Sequence, residues 1–148
     1  MQAASDHRER IGGVLLVAPA DPDRFGVAEF LPAKPLGFPA IVVASTNDAW
    51  MAFDRAAHWA RLWKAELISL GEAGHINADA GFGPWPEALA LLQRLTRAAE
   101  FRLAAERVAA FRLSRSGELR GNSCLVSPIA PGPVRLRLAL RTATQQPR

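Results

Sequence analysis

The sequence predicts an α/β domain, a parallel sheet with helices on its faces in three layers. Three observations predict it. Residues 11–19, 39–45 and 66–70 are short apolar runs of strand length. Residues 49–64, between the second and third runs, change to helical period. Strands joined through a helix rather than a tight turn pair in parallel with a right-handed crossover, and residues 39–70 are long enough for one such unit.

Each element follows from its residues. Residues 11–19 (Ile-Gly-Gly-Val-Leu-Leu-Val-Ala-Pro) are continuously apolar, which predicts a strand buried on both faces. Residues 21–38 are broken by proline and glycine and read as a loop, with one helical turn at 27–30. Residues 39–45 are rich in β-branched side chains and form the second strand. In residues 49–64, Trp50, Phe53, Ala57, Ala60 and Trp63 or Lys64 fall on one helical face, and Asn47 or Asp48 can cap the start. Residues 66–70 are the third strand. Residues 71–86 hold four glycines and two prolines and read as a loop. Pro86 fits the first turn of a last helix, where no backbone donor is needed, and Leu89, Leu92 and Leu95 share one of its faces. Residues 97–113 can prolong that helix. After Ser114 no period is clear; residues 121–133 are rich in breakers, residues 134–140 alternate as an edge strand would, and residues 142–148 are polar and expected to fray.

Composition narrows the function. A chain of 148 residues with 49% hydrophobic and 22% charged residues supports one globular core. A single cysteine, Cys124, excludes an internal disulfide or a multi-cysteine zinc site, and it has no neighbour that would activate it. The polar start resembles no signal peptide, and residues 14–18 are too short an apolar run to span a bilayer, so the expectation is a cytoplasmic protein with no membrane contact. The net charge of +4 is unevenly shared: residues 1–96 carry eight basic and eleven acidic side chains, residues 97–148 ten arginines and three glutamates. The division at 95/96 therefore separates a candidate domain, 1–95, from an Arg-rich extension, 96–148. Its arginines are scattered among aliphatic residues, with only Phe101 and Phe111 available to stack on bases, which argues against nucleic acid as a partner. His7, His58 and His75 lack paired-ligand spacing, so no metal is expected. No glycine-rich phosphate loop joins a strand to a helix, and no cofactor is expected.

Two residues carry the candidate chemistry. Ligands of open parallel sheets bind beyond the carboxyl ends of the strands. Asp48 follows the second strand and His75 the third, so both fall on that rim. A histidine there can act as a general base, with Gly74 before it permitting a tight bend. Alone it is an ordinary loop histidine bonded to backbone; beside an acid it gains a function. Asp48 can fix the tautomer of His75 or cap the following helix, and Asn47 and Asp48 can share those two tasks. Ser45 ends a strand without a glycine-flanked elbow or an oxyanion hole, so it is rejected as a nucleophile. Trp85 walls a pocket or, more simply, packs the last helix on the sheet.

The runs Val-Ala-Ser-Thr-Asn-Asp at 43–48, Trp-Ala-Arg-Leu-Trp at 59–63 and Gly-His-Ile-Asn-Ala-Asp-Ala-Gly-Phe-Gly-Pro-Trp at 74–85 resemble the small α/β-hydrolases related to retinoblastoma-binding protein nine, most closely their bacterial members. The resemblance covers about residues 11–95, and those relatives are compact serine hydrolases with little or no lid. It implies that Asp48 is the triad acid and His75 the triad base, since acid before histidine is the chain order of such triads. It implies a small-molecule ester-type substrate and hydrolysis of ester or related acyl bonds. The nucleophile motif Gly-x-Ser-x-Gly is absent from the 148 residues. The expectation is thus a partial α/β-hydrolase fold, its carboxyl-terminal half, with the amino-terminal strands, nucleophile and oxyanion donors preceding Met1. On this view Met1 to Arg10 end the helix that follows the nucleophile, the arginine-rich tail is foreign or frame-shifted, and the chain alone is inactive and prone to self-association through an exposed sheet edge. The alternative is a non-catalytic interaction module or a gene relic.

Overall fold

The computed structural model describes residues 11–118. The expected ending of a helix at 1–10, the breaker stretch at 121–133 with Cys124, the edge strand at 134–140 and the frayed end at 142–148 lie outside the described residues. Three strands form one sheet in the order β1 (Val14–Val17), β2 (Ala40–Ala44), β3 (Glu66–Ser69), and both pairings are parallel. Val14 pairs with Ala40 and Ile41 with Glu66, so the carboxyl ends of the strands share one rim. Helix α1 (Phe53–Trp63) links β2 to β3, and helix α2 (Pro86–Glu118) follows the last loop. The architecture is the expected one: an open parallel sheet between helices.

The two-residue period of β2 builds both cores. Ala40, Val42 and Ala44 pack with Ala56, Trp59, Ala60 and Trp63 of α1, together with Leu36, Phe38 and Met51. Ile41 and Val43 point the other way and pack with Leu15 of β1 and with Leu91 and Leu95 of α2. Every residue of β2 is buried. β1 departs from expectation: only Leu15 of its four residues is buried, because among the described residues β1 has a strand on one side alone.

The connection from β1 to β2 is irregular, with 3₁₀ turns at Pro22–Phe25 and Ala28–Phe30 instead of an α-helix. It is tied to the end of α1, where the Trp63 indole N–H donates to Pro32 O at 2.8 Å and Leu36 N–H to Trp63 O at 3.2 Å. α1 starts later than its apolar pattern suggests. Its N-cap is Ala52, without a side-chain bond, so neither Asn47 nor Asp48 caps it. Its buried face is Ala56, Trp59, Ala60 and Trp63; Ala57 is half-buried, and Trp50 precedes the helix.

α2 runs unbroken past residues 95 and 96. Leu91, Leu95 and Ala99, four residues apart, form its buried line. Leu89 is 64% exposed and does not share that face, lying about a third of a turn away from Leu95. α2 meets the sheet closely at Gly13, where a Cβ would come within 2.8 Å of Leu95 Cγ and 3.0 Å of Pro39 O.

Candidate active site

Asp48 and His75 meet on the carboxyl rim of the sheet. β2 ends at Ala44 and β3 at Ser69, and the loops that follow are joined by Thr46 N–H donating to Gly71 O at 2.8 Å. His75 Nδ1 lies 3.1 Å from Asp48 Oδ1 and 3.0 Å from Oδ2. The Asp48 side chain is 2% exposed and that of His75 14%. A carboxylate accepts only, so Nδ1 carries the proton and donates it to Asp48. Nε2 is then the basic nitrogen, the arrangement a general base needs.

The loop after β2 is shaped by its own side chains. Asp48 Oδ1 accepts from Trp50 N–H at 2.8 Å, which replaces the helix cap considered for it. Ser45 is fully buried. Its hydroxyl donates to Asn47 Oδ1 at 2.7 Å and accepts from Asn47 N–H at 3.3 Å and Ala73 N–H at 3.0 Å. Asn47 Oδ1 also accepts Gly74 N–H at 2.7 Å. Ser45 is thus embedded in the loops rather than presented at a surface. Gly74 has φ +61°, the left-handed bend foreseen before His75, and Ile76 after it has φ +47°.

A third loop completes the surroundings. Asp21 N–H donates to Trp50 O at 3.0 Å, and the Arg24 guanidinium donates to Ala49 O. Arg24 lies over the Trp50 ring, 5.3 Å from its centroid, with Phe25 stacked on the same indole. The Trp50 ring is 6.1 Å from that of His75. Arg55 of α1 pairs with Asp21 and Asp23 and holds this loop to the helix. Trp50 beside His75, and Arg24 and Phe25 against Trp50, are not singled out by sequence for the site: Trp50 fits the α1 pattern, and nothing local links residues 24 and 50. Trp85 is half-buried against the α2 core and meets Phe82 edge-on, which is the packing role.

Among the described residues, no group of three or more His, Cys, Asp or Glu side chains is arranged to hold a metal ion, and no helix is long and apolar enough to cross a membrane.

A family model described as serine hydrolase matches residues 1–94. The chain is similar to the crystal structure of a YdeN-like hydrolase from Pectobacterium atrosepticum SCRI1043, with 47% sequence identity and a TM-score of 0.59 over 68% of this chain and 52% of that one. The chain therefore spans about half the length of that structure. No curated protein matches it.

Proposed function

Because the chain belongs to the serine hydrolase family, we propose that Asp48 and His75 are the acid and the base of a serine-hydrolase triad. The observation that carries the proposal is the imidazole Nδ1 held 3.0–3.1 Å from both oxygens of a buried carboxylate, at the rim where open parallel sheets bind ligands. His75 Nε2 takes the proton of a serine hydroxyl as it attacks an acyl carbon, then returns that proton to the leaving group. Asp48 keeps the imidazole in the required tautomer and stabilises the imidazolium during the attack.

The substrate class is a small molecule with an ester or related acyl bond, cleaved by the complete form. The nucleophile is not among these residues: the chain has no Gly-x-Ser-x-Gly segment, and Ser45, the serine nearest the acid in sequence, has its proton engaged by Asn47. The match takes in 52% of the YdeN-like hydrolase, so about half of that structure has no counterpart in the matched residues.

The test uses a fluorophosphonate, which labels activated serines. The purified 148-residue chain is expected to stay unlabelled and to hydrolyse no p-nitrophenyl ester above background. Stoichiometric labelling at any serine of this chain would overturn the absence of a nucleophile. In a complete form, one carrying a Gly-x-Ser-x-Gly segment in addition to these residues, labelling is expected and should fall at least about a hundredfold on His75→Ala, general-base catalysis contributing about 10²–10⁴-fold. Retained labelling in that variant would remove His75 from the mechanism.

A further inference from the structure

We propose that Ser45 and Asn47 are positioning residues that clamp the histidine loop onto the acid loop and so set the distance between His75 and Asp48. The proposal rests on the assignment of Asp48 and His75 as the acid–base pair.

The two partners sit on different loops, 27 residues apart in sequence. An acid–base pair works only when both groups are held within about half an ångström of the productive geometry. Ladder pairing of β2 with β3 ends at Ala44 and Ser69. Among the described residues, main-chain bonding between the two loops ends where Thr46 N–H donates to Gly71 O, four residues before His75. Beyond that point the links are side-chain ones. Ala73 N–H and Gly74 N–H, the two amides immediately before His75, go to Ser45 Oγ and Asn47 Oδ1.

Those two acceptors are themselves joined. The Ser45 hydroxyl gives its proton to Asn47 Oδ1, so one continuous chain runs from Ala73 N–H through Ser45 and Asn47 to Gly74 N–H. The bonds from Ala73 N–H to Ser45 and from Ser45 to Asn47 run head to tail and polarise one another, and Asn47 Oδ1 takes Gly74 N–H with its remaining lone pair. The histidine needs this support, because left-handed backbone on both sides, at Gly74 and Ile76, takes it out of any ladder. At 0% exposure the Ser45 hydroxyl is closed off from water, and its three hydrogen bonds within the protein satisfy it. Asn47 serves through its carbonyl oxygen, an acceptor that an aspartate would reproduce.

The test needs no turnover and uses the 148-residue chain as it is. The Nδ1 proton of His75, bonded to a carboxylate, gives a proton resonance far downfield, and its exchange with water reports how firmly the loop is held. In Asn47→Ala this exchange should accelerate roughly fivefold to tenfold, the scale of the one hydrogen bond that Asn47 Oδ1 takes from the histidine loop, at Gly74 N–H. Asn47→Asp should restore the rate to within about twofold of the parent. Because Asn47 is exposed, neither change threatens the fold, whereas Ser45→Ala strikes a buried site and is the secondary variant. Unchanged exchange in Asn47→Ala, or failure of Asn47→Asp to restore it, would overturn the clamp with the acid–base pair intact. Absence of the downfield proton in the parent chain would instead remove the Asp48–His75 pair, and the clamp with it.

Discussion

At the scale of single residues, Asp48 does two things with one carboxylate. It accepts the Nδ1 proton of His75 and the Trp50 N–H, all but removed from water. Asp48→Ala leaves a part-buried amide without a partner and should cost about 1–3 kcal/mol in urea unfolding. Asp48→Asn keeps an oxygen for Trp50 N–H and should lose less stability, while the charge opposite His75 is gone. Equal losses for the two variants would show that the His75 bond, not the turn, supplies the stability. Both residues of the pair were legible in the sequence, because the end of an apolar strand and the start of a glycine-rich loop can be read locally. Ser45 and Asn47 were not legible as partners of the histidine loop. Their contacts span 28 and 27 residues, and no local pattern encodes a bond of that separation.

At the scale of elements, helix α2 shows how close packing selects one face among several available ones. Residues 86–99 carry leucine at 89, 91, 92 and 95, a density that fits more than one apolar stripe. Gly13 decides between them: without a Cβ it lets Leu95 approach β1, and Leu91 and Ala99 follow four residues to either side. Leu95→Ala should therefore cost about 2–5 kcal/mol, and Gly13→Ala about 1–3 kcal/mol through overpacking. Leu89→Ala should change stability by no more than about 0.5 kcal/mol. Thermal or urea denaturation of the three variants checks the order, and a large loss at Leu89 would assign the stripe to the other face. The start of α1 departs from its apolar pattern for a related reason. Asp48 spends an oxygen on the Trp50 N–H in a turn, which delays the helix to Phe53.

At the scale of the whole molecule, the described residues leave apolar surface uncovered on the β1–β2 connection, at Phe25, Val27 and Phe30, at the sheet edges and along α2. The described sheet ends at β1, whose Val14, Leu16 and Val17 are only half-buried, and at β3. Along α2, Phe101, Val108 and Leu113 are between half and four-fifths exposed. Exposed strand edges and apolar faces of this kind favour association. Light scattering after gel filtration should give a mass above the 16.0 kDa of one chain, rising with concentration. A 16.0 kDa species at every concentration would remove this expectation.

The parallel α/β layering, the strand positions and the two residues at the rim follow from sequence alone, because hydrophobic period and strand ends are local properties. The tertiary structure alone decided which face of α2 is buried, that Asp48 turns the chain instead of capping a helix, and that Trp50, packed against Arg24 and Phe25, stands beside His75. It also brought Ser45 and Asn47 to the amides that precede the histidine. Apart from the Asp48 turn, which closes within one loop, these depend on residues distant in sequence meeting at one place, and that meeting is created by the pairing of β1, β2 and β3 rather than by any single segment.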